Sequence, residues 1–215
     1  MTLFDVLSLD FLLSFLRGLT LNISASLIVL AAALPLSYAL ALGMHAGPAL
    51  LSRPLRAFVN LLHTLPVFVV LFFMSGVLSE ESSIDTLFAG NLPLMLLVIG
   101  HTPYVLAYGS DQFLTMFDRQ QRGNRHEALL IIPSIGRALQ MVMSSSCFGA
   151  ALGVPEAMSV VIYTAAQLAD EGEQILFFVV VALMFVLVLR ICLIPFRIVH
   201  IAFDRRAALA SDGAV

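Results

Sequence analysis

Few residues in this sequence could do chemistry, and nearly all of them sit in apolar surroundings: His63, His101, Glu156 and the run Ser144-Ser145-Ser146. A hydroxyl nucleophile needs a base within hydrogen-bond reach, and no histidine or acid is spaced to serve the serine run. No histidine–acid spacing suits a metal, and no glycine-rich phosphate loop is present. Neither an enzyme nor a bound cofactor or metal is expected, and any nucleotide hydrolysis belongs to another chain. What remains is transport chemistry, because ionisable groups inside a bilayer mark solute or ion routes by default. Glu156 and Arg190 are such groups. Glu156 reads either as a pathway residue or as the cap of a broken helix. His63 and His101 read either as path-lining or as bonded to a neighbouring backbone carbonyl.

The elements that hold these residues are membrane helices. Of the 215 residues, 60% are hydrophobic and 12% charged, with a mean hydropathy of +0.99. A soluble domain carries about 25% charged residues, so lipid is the expected solvent. The basic residues are all arginine, and the net charge of −3 leaves no basic excess for a nucleic acid. Cys147 and Cys192 lie in apolar runs and read as packing residues. Arg17 is the first positive charge, so a cleaved signal peptide is not expected.

A span needs roughly 20 apolar residues, and residues 19–44, 57–78, 92–110, 140–168 and 173–200 qualify. Residues 1–18 are too short and acid-dotted to cross, and suit an interfacial helix. Arg53 and Arg56 lie in one connector, Arg119, Arg122, Arg125 and Arg137 in another, and Arg205 and Arg206 in the tail. The two remaining connectors, "SEESSIDTLFAGN" and "ADEGE", hold acids and no arginine. Arginine in short loops marks the cytoplasmic side. The expectation is therefore an all-α polytopic protein of five spans, N-terminus outside and C-terminus cytoplasmic. Residues 19–200 form one transmembrane domain with a cytoplasmic loop at 111–139 and a tail at 201–215.

Helix breaks in lipid are tolerated only against protein or a water-filled cavity. Pro35, Pro66 and Gly153-Val154-Pro155 are the candidates, with Pro103 a weaker case. A single proline in a membrane helix usually gives only a kink, whereas Gly–x–Pro beside Glu156 is the stronger sign of a break. Ser145, Gly149 and Gly153 repeat every four residues and offer a small-residue face for a close helix neighbour. At 1.5 Å per residue, Glu156 and Arg190 lie roughly 14 Å apart in depth, too far for a direct pair in unbroken helices. Arg190 is expected to snorkel towards the cytoplasm.

Taken in order, several segments resemble the permease subunits of binding-protein-dependent ABC importers of the polar amino-acid type. They are "GLTLNISASLIVLAAALPLSYALALG", "RPLRAFVNLLHTLPVFVVLFF", "LIIPSIGRAL" and "GVPEAM". The resemblance covers nearly the whole chain. It implies a type I importer fold in the bacterial inner membrane, importing a polar amino acid or similar small solute. The implied partners are a second permease subunit, an ATPase dimer that hydrolyses ATP, and an extracytoplasmic solute-binding protein.

It also implies roles for residues. Asn60, His63, Thr64, His101, Thr102, Ser145 and Glu156 would line the solute path, and Arg119, Arg122, Arg125, Glu127 and Ala128 would engage the ATPase. The chain departs from the pattern in places. The family usually has Glu and Arg where this chain has Asn60 and His63, and Glu where it has Ala107. Ser144-Ser145-Ser146-Cys147 stands in place of a charged motif. Only Glu127-Ala128 survives of the coupling motif, and Pro133 follows far sooner than in the family, so the coupling loop is shortened. The alternative is a permease-derived subunit that no longer transports and serves as anchor, assembly partner or sensor.

Overall fold

The computed structural model describes residues 3–77, 91–123 and 128–212. In chain order its helices are α1 Leu3–Val6, α2 Leu9–Ala46, α3 Ala49–His63, α4 Val67–Val77, α5 Leu92–Gln121, α6 Ile131–Ser145, a 3-10 turn Ser146–Leu152, α7 Ala157–Ala165 and α8 Glu171–Asp212. Three helices are long and apolar enough to cross a membrane: Leu9–Ala46, Leu92–Gln121 and Glu171–Asp204. Two further pairs are bent, α3 with α4 by 84° and Ile131–Leu152 with α7 by 54°, giving up to five spans if each pair is one.

Sequence chemistry sets these boundaries. Ser8 accepts the Phe11 N–H at 3.3 Å and caps α2. Nothing then interrupts the leucine- and alanine-rich run, so α2 continues for 38 residues, and Pro35 lies inside it. There is no helix boundary near residue 18, so the stretch expected to stand apart as an interfacial helix is mostly the beginning of α2. Pro66 disfavours helical backbone at the residue before it, and α3 ends at His63. Gly153 adopts a left-handed φ of 78° that closes the 3-10 turn, and Pro155 prevents α6 from running on. We expect Gly153→Ala to cost about 1 kcal/mol through that backbone, read as a lower thermal unfolding midpoint.

The chain divides into two compact units. Unit 1 contains residues 1–28, 67–101 and 142–190, and unit 2 contains 29–66, 102–141 and 191–215. Unit 1 is organised by Phe11, Phe15 and Leu19 of α2, packed with Ala157, Val161, Phe177 and Val181. A second cluster there joins Ala25, Leu71, Met95, Leu97 and Val154. Unit 2 is centred on Met44, Val59, Leu62 and Ala107. Ser37 fits under Gly109 there, where an added Cβ would lie 2.6 Å from the Ser37 hydroxyl oxygen.

Burial runs opposite to that of a soluble protein. α8 contains the most apolar of the candidate spans, yet only 17% of its apolar window is buried. Ile175, Leu183, Leu187, Ile191 and Ile198 stand exposed along it. Contiguous apolar surface on this scale needs an apolar surrounding.

Candidate functional site: a polar stripe on apolar helices

Three faces can be read around α3. Leu55, Val59 and Leu62 pack inward on α2 and α5. Leu50, Phe58 and Leu61 form an exposed apolar flank. Arg53, Arg56, Asn60 and His63, spaced by three and four residues, share the third face, and all are exposed. A similar spacing runs along α5, where half-buried Tyr104 and Tyr108 and exposed Asp111, Thr115 and Asp118 follow one another every three or four residues, with exposed Arg122 just beyond the helix. The two rows meet at His63 Nε2 and Asp111 Oδ2, 2.7 Å apart, with side chains 40% and 50% exposed. Tyr104 and Tyr108 stack with ring centroids 6.0 Å apart. Thr64 closes α3, its hydroxyl donating to the Leu61 carbonyl at 2.7 Å.

Unit 1 contains a different arrangement, enclosed and internally satisfied. Glu156 is fully buried and caps α7. Its carboxylate accepts from Met158 N–H at 2.9 Å, Ser159 N–H at 3.1 Å and the Asn22 amide at 3.0 Å. Asn22 also donates to the Ser146 hydroxyl at 2.6 Å and accepts from Ala157 N–H at 3.2 Å. Backbone comes so close here that a Cβ on Gly18 would lie 2.5 Å from the Ala157 nitrogen. This is the geometry of a helix cap that braces a break. His101, also fully buried, has Nδ1 2.7 Å from the Leu97 carbonyl. Its Nε2 makes no well-formed hydrogen bond, although the Ser145 backbone is within electrostatic reach.

Two solved structures share this architecture. One, an amino acid ABC transporter, aligns over 92% of this chain and 95% of its own at 12% identity, with a TM-score of 0.63. The other, the MetNI methionine ABC transporter in inward-facing conformations, aligns over 91% and 99% at 14% identity, with a TM-score of 0.65. The chain has a fold found in ABC transporters. No protein-family model matches the sequence, nor does any curated protein.

Within this fold the expected path residues fall in both units. Asn60, His63, Thr64 and Thr102 belong to unit 2, and His101, Ser145 and Glu156 to unit 1. Asn60 and His63 share the polar face of α3. Glu156 meets Asn22, which also bonds Ser146, rather than Arg190, which is exposed. Of the residues expected to engage an ATPase, Arg119 lies in the last turn of α5, Arg122 is exposed just after it, and Ala128 is half-buried. Arg125 and Glu127 lie outside the described residues. Sequence reading missed Asn22 and Asp111. The period of Asp111 with Tyr104, Tyr108, Thr115 and Asp118 was a usable signal; the link of Asn22 to Glu156, 134 residues away, left none. Among the described residues no group of three or more His, Cys, Asp or Glu could hold a metal.

Proposed function

We propose that the chain is a permease subunit of an ABC importer in a bacterial inner membrane, carrying a polar amino acid or similar small solute. The observation that carries this reading is the exposed polar stripe of α3 and α5. Polar groups in a membrane-spanning region face water or protein, not lipid, so the inner part of the stripe, around Asn60, His63 and Asp111, suits a solute path bounded by a second permease subunit, with Arg53, Arg56 and Arg122 at its cytoplasmic end. The shared fold supports the reading, and one neighbour is described as an amino acid transporter and the other as a methionine transporter.

Orientation follows from charge. Arg53 and Arg56 lie in one connector, Arg119, Arg122, Arg125 and Arg137 in another, and Arg205 and Arg206 in the tail, whereas the connectors at 79–91 and 169–173 carry acids and no arginine. Under the arginine rule this reads as five passes, N-terminus outside and C-terminus in the cytoplasm. An ATPase dimer would engage Arg119, Arg122, Arg125, Glu127 and Ala128. ATP is hydrolysed on that partner, and this chain binds no cofactor.

The test is purification from native membranes followed by reconstitution in liposomes. An ATPase should copurify, and a loaded solute-binding protein should stimulate its hydrolysis several-fold. Deleting residues 119–125 should abolish the stimulation. Copurification with no stimulated hydrolysis and no uptake would instead favour a non-transporting subunit.

A further inference from the structure

His45, a histidine of unit 2 outside the polar stripe, is well placed to hold a moving part. It sits in the last turn of α2, its side chain 16% exposed. Its Nδ1 lies 3.4 Å from Asp118 Oδ1, and its Nε2 lies 2.7 Å from the Gln121 side-chain nitrogen. A neutral ring carrying its proton on Nδ1 satisfies both contacts, donating to Asp118 and accepting from Gln121. A protonated ring also keeps both, because Gln121 can present its amide oxygen instead.

Aromatic packing stiffens the same place. The Phe117 ring lies 5.3 Å from His45 and 5.4 Å from Tyr38, seven residues earlier on α2. Gln121 is the final residue of α5. Two residues later Gly123 takes a φ of 78° and ends the helical backbone. The end of α5 is thus fastened to the end of α2. That end is fastened in turn to α3, since Arg56 donates to the Met44 carbonyl at 3.2 Å. α3 carries Asn60 and His63 of the stripe.

We propose that His45 is a positioning residue through which displacement of the end of α5 is passed to α2 and, by way of Met44 and Arg56, to α3. The inference rests on the importer reading above, in which an ATPase engages the chain at and beyond Arg119. It assigns His45 no contact with solute. A series of contacts is not yet coupling, so the test must read movement at both ends.

The measurement is hydrogen exchange on the purified complex with its copurifying ATPase, with and without ATP plus vanadate. In the wild type, amides at 118–123 and at 43–47 should both change exchange rate, by about tenfold. In His45→Ala the first segment should still respond and the second should respond less than about twofold. His45→Gln, which can still bond the Gln121 amide, should restore the response at 43–47. If His45→Ala does not assemble, Gln121→Ala, which removes one link, should show the same uncoupling. A His45→Ala response equal to wild type at both segments overturns the inference and leaves the importer reading standing. A wild-type complex silent at 118–123 overturns both.

Discussion

Replacing Asn22 with leucine should lower stability by roughly 3 kcal/mol, the largest loss expected from any single buried polar side chain here. The leucine fills similar space but strips the Ala157 N–H, the Ser146 hydroxyl and the Glu156 carboxylate of a partner at once. Single hydrogen bonds between membrane helices average only about 0.6 kcal/mol, because the unfolded chain in lipid finds other partners. Three lost together, one of them to a buried acid, exceed that average. The double variant Asn22→Leu with Glu156→Leu should be less destabilised than the two single changes summed, since no acid is left stranded. Thermal unfolding in detergent decides this. An unchanged midpoint for Asn22→Leu would mean that the Glu156 cap does not brace the break at Gly153-Val154-Pro155.

The second large effect is functional. Asp111→Ala or His63→Ala should reduce uptake about tenfold, the factor for losing roughly 1.4 kcal/mol of charge-assisted hydrogen bonding in the path. Stability should barely move. Both side chains are about half exposed, and an exposed ion pair contributes only about 0–1 kcal/mol to folding. That separation identifies the role: a structural pair would lower the unfolding midpoint, whereas a path-lining pair lowers transport alone. The assay is uptake of a mixed pool of radiolabelled amino acids into proteoliposomes containing the complex. Full uptake in both variants would place the path elsewhere.

Much of the fold was legible because hydropathy is a local property. The long apolar stretches predict the long helices, and Pro66 and Gly153-Val154-Pro155 mark the two bent regions. Span limits were less legible. α5 continues to Gln121 through Asp111, Thr115 and Asp118, polar residues that end an apolar window without ending a helix. For the same reason Asp10 and Arg17 do not separate the first residues of α2 from the rest. The 84° bend after His63 exceeds what one proline announces. Side-chain partners were least legible of all. Glu156 offered two readings in the sequence, and only the fold, by bringing Asn22 and the start of α7 to it, supplies the cap. The resemblance to importer permeases anticipated the shared architecture.

Sidedness is the claim on which the account depends, and cysteine accessibility tests it most directly. With Cys147 and Cys192 replaced by alanine, Glu171→Cys and Arg122→Cys are each exposed to a membrane-impermeant maleimide in intact cells and in inverted vesicles. Glu171→Cys should label in cells and Arg122→Cys only in inverted vesicles. Labelling of both positions from the same side would contradict the five-pass orientation, and with it the importer role.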